Sequence, residues 1–168
     1  MKHFYKLYEQ NDELLKIAAL FFKEGLEKGE FCFWAIPDSM DKHESLKSLG
    51  GYIELLSYYI KKDQIMLVKA REWYHNSGSF DMDLVLEKWE SLYKDITARG
   101  FTGLRVVGNA ENIEEKDWKK LMEYEAIVHD KIKNYNMTAV CAFNIKNLKS
   151  VIHISDIINI HEDCFVTD

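Results

Sequence analysis

The sequence predicts an α/β fold: a mainly parallel sheet of five to six strands in a three-layer arrangement, with helices on both faces. Helix and strand patterns alternate from one end of the chain to the other, and connections of this length imply right-handed crossovers between parallel strands. The segment FCFWAI, residues 31–36, is apolar without alternation, which is typical of a strand covered on both faces. No repeat or Pro/Gly/Ser linker interrupts the 168 residues, so we predict a single domain over residues 1–168.

Each element follows from a local pattern of apolar residues and helix signals. The first helix is predicted to open at Asn11 or Asp12 and to stop at Gly29, and the clearest helix has Ser79 or Asp81 as its N-cap. The predicted strands cover residues 3–8, 31–36, 64–69, 103–107 and 137–143, with a short apolar end at 164–166. The other predicted helices cover residues 41–62 (broken near Gly50), 81–99, 115–133 and 147–159, and residues 71–79 are predicted as a loop.

In an open parallel sheet the ligand crevice lies outside the carboxyl ends of the strands. This rule selects the loops 8–12, 37–41, 70–80, 108–113 and 144–147. A binding site is expected to draw mainly on these loops.

Composition excludes several classes of function. The formal net charge is −6, which provides no electrostatic footprint for nucleic acid or anionic lipid. The longest apolar run, residues 17–22, is too short to span a bilayer, and no signal-peptide core follows Met1. Cys32, Cys141 and Cys164 form no paired motif and are expected to be free thiols. We therefore expect a cytoplasmic protein with neither nucleic acid nor membrane as a partner.

The loop after the first strand argues against phosphoryl transfer. It reads Glu9-Gln10-Asn11-Asp12, without the glycines, lysine and Ser/Thr of a phosphate-binding loop. The fourth strand runs into Asn109, where a magnesium-holding acid is usual. Asp38, after the second strand, is a lone acid and more typical of a turn. The chain is therefore not expected to be an enzyme.

Metal binding and nucleophilic catalysis have little support at this level. Glu125 and His129 share one helical face but supply two ligands where a catalytic zinc needs three. The tail HISDIINIHEDC, residues 153–164, fits no metal motif and is interpreted as a solvated acidic segment. Cys141 is interpreted as a buried strand thiol, with a nucleophilic role requiring His129 or His161 nearby. No metal or other cofactor is expected.

Glu125 stands where the apolar stripe of its helix predicts an apolar side chain. A buried carboxylate is costly unless it is paired, and Arg105, an unexpected charge in the fourth strand, is the candidate partner. Two interpretations stay open at this point: a structural Arg105–Glu125 clamp, or contact of both residues with a ligand.

The segment REWYHNSGSFD, residues 71–81, is unusually aromatic for a loop at the ligand edge. Trp73, Tyr74 and Phe80 either cover the core or form a pocket for an apolar or flat molecule. In the second case Trp73 and Tyr74 are expected to face the crevice beside the loops of Tyr8 and Asp38.

Several segments together resemble one family over nearly the whole chain. They are FFKEGLEKGEFCFWAI (21–36), EWYHNSGSFD (72–81), GLRVVG (103–108), LMEYE (121–125) and AVCAF (139–143). In order and spacing they resemble the MEDS domain, the methanogen/methylotroph DcmR sensory domain. The stretch FFKEGLEKGE, residues 21–30, is also similar to KaiC-type ATPases, so the resemblance implies a RecA/KaiC-like fold with a degenerate phosphate loop.

The resemblance implies a non-catalytic sensory domain. Family members occur in a regulator of dichloromethane catabolism and beside kinase domains, which implies transcription regulation or signalling through a separate protein and a small hydrocarbon derivative as ligand. The positions that match the family pattern are His3, Tyr8, Trp73, Tyr74, Phe80, Asp81, Arg105, Glu123, Glu125, Cys141 and His161, with departures at Asn109, His129 and Phe143-Asn144.

The candidate ligand-binding residues are Tyr8, Asp38, Trp73, Tyr74, Phe80, Arg105, Glu125 and Cys141. The alternatives are a nucleotide-binding or weakly hydrolytic RecA-fold relative and a protein-interaction module without ligand. Homo-oligomer formation is left open.

Overall fold

The computed structural model describes residues 2–111 and 113–166, so Asn112 of the predicted 108–113 loop lies outside the described residues. The strands are β1 (His3–Tyr8), β2 (Phe31–Ile36), β3 (Ile65–Lys69), β4 (His75–Asn76), β5 (Ser79–Phe80), β6 (Leu104–Gly108), β7 (Met137–Asn144) and β8 (Asp163–Cys164). The helices are α1 (Asn11–Glu27), α2 (Lys42–Leu49), α3 (Leu56–Lys61), α4 (Ala70–Tyr74), α5 (Met82–Ala98), α6 (Trp118–Ile132) and α7 (Val151–Ile160).

Six strands form one all-parallel sheet in the order β3-β2-β6-β7-β1-β8. The predicted α/β class is therefore confirmed. Every residue of β2 is buried, which explains its continuous apolar sequence. β1 pairs with β7, so His3 lies beside Ala139 and Tyr5 beside Cys141. This pairing joins the start of the chain to its last third.

Helices cover both faces of the sheet and divide the core into two layers. Side chains of α1, α2 and α3 pack with Cys32, Trp34 and Val107 on one face. Side chains of α4, α5, α6 and α7 pack with Phe33 and Val106 on the other. The predicted three-layer arrangement is confirmed, and among the described residues no helix combines the length and apolarity needed to cross a membrane.

Local signals at the helix ends act as predicted. α1 begins at Asn11, and Gly29 follows its end with a φ of +76°, a backbone conformation that favours glycine. Asp81 caps α5 by accepting a hydrogen bond from the backbone N–H of Leu84 at 3.1 Å. Gly100 follows α5 with a φ of +85°.

The prediction of a loop over residues 71–79 is wrong. The segment folds into α4 and then into an antiparallel β4-β5 hairpin. The two central residues of the hairpin, Ser77 and Gly78, have φ values of +50° and +88°, as a tight two-residue hairpin turn requires. The aromatic residues of the segment are thereby held by regular structure.

Candidate functional site

The loops selected by the crevice rule do meet at the carboxyl edge of the sheet. The side-chain amide of Asn11 donates to the hydroxyl of Ser39 at 3.2 Å, which joins the loops after β1 and β2. The backbone N–H of Asp38 donates to Glu111 at 3.0 Å, and His75 contacts the carbonyl of Glu111 at 3.1 Å. The loops after β2, β3 and β6 are thus connected into one surface.

A cavity of about 440 Å³ opens at this edge, beyond the ends of β6 and β7. Asn109, Ala110 and Glu111 line it from the β6 side, and Phe143 and Asn144 from the β7 side. Its volume lies in the range of small-molecule sites. The place of the cavity follows from the strand order, because β6 and β7 are neighbours in the sheet.

Asn109 is the most informative residue of the cavity. It is 1% exposed, and its amide nitrogen donates to the Tyr8 hydroxyl at 2.8 Å and to the Ala142 carbonyl at 3.1 Å. Its carbonyl oxygen Oδ1 has no hydrogen-bond partner in the described part of the chain. A buried acceptor without a partner costs free energy, which makes Asn109 a candidate contact for a ligand in the cavity that it lines.

The opposite wall of the cavity is formed by the helical region after β6 and by α7. The rings of Trp118 and His153 stack at 3.9 Å, and His153 Nε2 lies 3.0 Å from a carboxylate oxygen of Glu115. His153 is buried, as is His161 at the end of α7. The interpretation of residues 153–164 as a solvated acidic segment is therefore wrong for both histidines.

Tyr8 and Asp38 lie at the carboxyl edge, as predicted. Tyr8 is buried and contacts the cavity through Asn109. The Asp38 carboxylate accepts from the backbone N–H of Arg71 at 3.3 Å and pairs with the Arg71 guanidinium at 3.4 Å. Burial raises the pKa of the neighbouring Glu111 carboxyl. Asp38 and Glu111 thus lie together at the carboxyl edge, with Arg71 as the cationic partner of Asp38.

Trp73, Tyr74 and Phe80 pack into the core beneath α5 and α6. Trp73 lies 4.4 Å from Phe33 between ring centroids, and Phe80 lies 5.7 Å from Tyr124. Tyr74 is 3% exposed. Of the two interpretations, these contacts favour covering of the core, and a role for the three residues in a pocket wall stays a prediction.

The predicted Arg105–Glu125 clamp is wrong, because the two residues lie on opposite faces of the sheet. Arg105 faces α1, where its guanidinium donates to Glu30 at 2.6 Å and to Glu24 at 2.8 Å. Glu125, on α6, faces the other layer. Strand alternation sends neighbouring side chains to opposite faces, and Arg105 shares its face with Val107 rather than with Val106.

Glu125 has other partners, which we call the His–Glu–Cys cluster: His3, Glu125, Cys141 and His161. His3 Nε2 lies 3.3 Å from Glu125 Oε2 and 3.2 Å from Cys141 Sγ. The Cys141 thiol donates to Glu125 Oε2 at 3.2 Å, and His161 Nε2 lies 3.7 Å from the same oxygen. The side chains of His3, Glu125 and His161 are at most 3% exposed.

Burial and mutual contacts shift the pKa values within this cluster. Burial lowers the pKa of His3 and outweighs the attraction of Glu125. Burial acts to raise the pKa of Glu125, but the contacts with His161 and His3 hold it well below its usual range. Burial and the adjacent carboxylate raise the pKa of the Cys141 thiol. The cluster thus favours a neutral His3 beside an ionised Glu125.

Sequence reasoning identified Glu125 and Cys141 and named His161 as a possible neighbour of Cys141, but it did not bring His3 or His161 together with Glu125. His3 lies at the start of β1, and no local pattern connects it with residues 125 or 141. Asn109 was noted only as a missing acid, although a polar residue directly after a buried strand was an available signal.

The fold and the cavity define a three-layer α/β domain with a ligand-sized cavity at the carboxyl edge of a parallel sheet. No curated protein matches the chain. The family model of MEDS, the MEthanogen/methylotroph, DcmR Sensory domain, matches residues 2–162. The chain belongs to this family of sensory domains, and the resemblance seen in the sequence is confirmed.

Proposed function

We propose that the chain is a non-catalytic sensory domain that binds a small organic molecule in the carboxyl-edge cavity and signals to a separate regulatory protein. The observation that carries the proposal is the cavity of about 440 Å³ beside Asn109, whose buried carbonyl oxygen has no partner within the described residues. Membership in a sensory family supports it. The free thiols Cys32, Cys141 and Cys164 suit a reducing compartment, the cytoplasm.

The lining of the cavity indicates the chemistry of the ligand. Ile113, Phe143 and Leu148 offer apolar surface, and Asn109 offers a hydrogen-bond acceptor. A small hydrocarbon derivative with a hydroxyl or amide N–H group satisfies both. Apolar burial contributes about 25 cal/mol per Å², and the hydrogen bond to Asn109 would orient the molecule.

A nucleotide is the rival ligand, and the contacts at the start of α1 disfavour it. The backbone N–H of Glu9 donates to the Glu13 carboxylate at 3.1 Å, so the protein's own anion takes a donor that a phosphate-binding loop offers to phosphate. The nearby Lys69 is held by the backbone carbonyls of Asp38 and Met40. Near the start of α1, phosphate would therefore find a backbone donor and a lysine that are already engaged.

A thermal-shift screen tests the proposal, since a ligand that binds the native state raises its stability. The probes are small alcohols, amides and halogenated or methylated compounds, with ATP and ADP in parallel. We expect at least one organic probe, and neither nucleotide, to raise the melting temperature.

Ala110→Leu, which extends a side chain at the cavity wall, should abolish the shift, and the matched variant Ala126→Leu, at an exposed position of α6, should retain it. A shift that both variants retain would place the ligand elsewhere. A shift with ATP that requires the same cavity would favour the nucleotide-binding alternative.

A further inference from the structure

We propose that the His–Glu–Cys cluster is a binding site for a divalent transition-metal ion of the zinc class. Its residues come from four separate elements: His3 from β1, Glu125 from α6, Cys141 from β7, and His161 from the end of α7. Imidazole, thiolate and carboxylate are the side chains that bind zinc in proteins. The inference goes beyond the proposed function, because the cluster lies between the sheet and α6 and not among the residues that line the cavity.

Four of the six distances between the potential ligand atoms are close to those of a tetrahedral site. Metal–ligand distances of about 2.0–2.3 Å correspond to ligand–ligand separations of about 3.4 Å in a tetrahedron. In the cluster the separations are 3.3 Å for His3–Glu125, 3.2 Å for His3–Cys141, 3.2 Å for Cys141–Glu125 and 3.7 Å for His161–Glu125. The ligand atoms of all four residues lie within 4.8 Å of one another.

The orientation of His161 provides the second argument. Its Nδ1 lies 2.7 Å from the carbonyl oxygen of Ile157, and because a carbonyl only accepts, this nitrogen carries the hydrogen. In the neutral ring the lone pair is therefore on Nε2, 3.7 Å from the Glu125 carboxylate and without a hydrogen-bond partner in the described chain. A metal ion between these atoms would remove the lone-pair repulsion, and a histidine N–H donated to a backbone carbonyl is the usual support of a metal-bound imidazole.

The charges of the cluster provide the third argument. The ion-pair partners that the structure describes for Glu125 are His3 and His161, with no lysine or arginine among them. A buried carboxylate needs a compensating positive charge. A divalent cation bound by the Glu125 carboxylate, the Cys141 thiolate and two neutral imidazoles gives a site of zero net charge, with the thiol proton released to solvent on binding.

A metal bound by four protein side chains has no open position, which is typical of structural zinc sites. It would join β1, β7, α6 and the end of α7. The cavity and the cluster meet at Phe143, which lines the cavity and whose ring centroid lies 6.1 Å from that of His161. Metal occupancy and ligand binding are measured separately, so failure of one proposal leaves the other standing.

The test is metal titration of the full chain after treatment with a chelator. Co²⁺ should bind at about one equivalent per chain, with the visible absorption of a tetrahedral site and a thiolate-to-cobalt charge-transfer band. Zn²⁺ should displace Co²⁺ and raise the melting temperature. If the wild-type chain binds neither ion stoichiometrically, the four side chains only contact one another and the proposal is overturned.

Variants locate the site. Cys141→Ser should abolish the charge-transfer band, and His161→Gln should weaken Co²⁺ binding more than tenfold. The matched controls are Cys164→Ser, a thiol in contact with the Phe165 carbonyl, and His43→Gln, an exposed histidine of α2. Both controls should behave as wild type. Retention of the band in a folded Cys141→Ser protein, or its loss in Cys164→Ser, would contradict the assignment, and the wild-type titration decides if a variant does not fold.

Discussion

Arg105 is a charged residue in the buried strand β6, and its hydrogen-bond partners come from α1 and from Glu30, which follows α1. Its guanidinium donates to Glu30, to Glu24 and to the carbonyl oxygen of Phe21, the last at 3.0 Å. Its side chain is 6% exposed, and that of Glu30 is 13% exposed. A buried pair contributes little net stability when intact, but loss of one partner leaves the other charge uncompensated.

Arg105→Met is therefore expected to lower the free energy of unfolding by about 3 kcal/mol, measured by urea denaturation. Most of the loss should come from Glu30, since Glu24 is 56% exposed and can be solvated. The control Lys133→Met removes a solvent-exposed pair with Asp130 and should cost less than about 1 kcal/mol. Equal effects of both substitutions would show that Arg105 is not a buried paired charge.

Glu24 predicts a dependence of stability on pH. Its hydrogen bond with Arg105, and then that with Lys28, lowers its pKa from 4.5 to about 2. A carboxyl whose pKa is lowered on folding stabilises the protein above its unfolded-state pKa, and this contribution is lost as the pH falls from 4.5 towards about 2. Solvent screening keeps the effect small, because Glu24 is more than half exposed.

Urea midpoints measured across this acid range should fall less steeply for Glu24→Gln than for the wild type. Glu27→Gln, at an exposed position of the same helix, is the matched control and should follow the wild type. If the wild type and Glu24→Gln have parallel profiles, the Arg105–Glu24 pair does not contribute in solution.

At the scale of elements, the approach of α1 to the sheet depends on Gly25. A Cβ atom at this position would lie 2.6 Å from Arg105 Cδ, 2.8 Å from Arg105 Nε and 2.9 Å from a carboxylate oxygen of Glu30. These atoms are held by the ion pairs of Arg105 and cannot easily move. Helix α1 therefore packs against the Arg105 side chain at Gly25, where only a residue without a Cβ atom leaves enough room.

Gly25→Ala should destabilise the protein by about 1–3 kcal/mol, although alanine is the better helix former by about 1 kcal/mol. Chemical denaturation measures the change. Gly51→Ala is the control, since its Cβ would lie 3.4 Å from the Ser48 carbonyl, an ordinary contact. A stabilised Gly25→Ala variant would mean that α1 shifts without cost.

The helices of the opposite layer are held by buried polar contacts as well as by apolar packing. Trp89 of α5 donates its indole N–H to the Tyr124 hydroxyl of α6 at 2.7 Å. Trp89 also packs on Phe33 and Trp73, at centroid distances of 4.8 Å and 4.7 Å. The aromatic residues of the 71–81 segment thus join α4 to the sheet and to α5.

At the scale of the whole molecule, two backbone contacts at the carboxyl edge support the proposal that the chain does not hydrolyse ATP. Catalysis of phosphoryl transfer depends on positioned cations and N–H donors. Here Glu13 accepts from the N–H of Glu9, and Glu111 accepts from the N–H of Asp38. Both donors are directed to the protein's own carboxylates.

The purified chain is expected to show no magnesium-dependent release of phosphate from ATP above a buffer control. A coupled phosphate assay measures this, and Asp38→Ala, which removes the acid at the end of β2, serves as the comparison. Robust turnover by the wild type that disappears in Asp38→Ala would identify a catalytic site and contradict the non-catalytic proposal.

Local patterns in the sequence predicted most elements, because they depend on neighbouring residues. The apolar run 31–36 and the capped helix at 81–99 correspond to β2 and α5. The 71–79 segment was predicted incorrectly. Its helix α4 is only five residues long, too short for an apolar period to show in the sequence, and its hairpin depends on positive φ values at Ser77 and Gly78. The crevice rule located the loops, but it does not state which pair of them encloses a cavity.

The sequence by itself determined the fold class, the strand and helix pattern and the presence of buried charges, since periodicity reports which side chains turn inward. Tertiary structure decided which charges meet. Arg105 and Glu125 are both inward-facing, yet they lie in different layers. His3 and Cys141, 138 positions apart, touch because β1 lies beside β7. Contacts of this range depend on strand order and on the face each strand presents, and no local pattern encodes either.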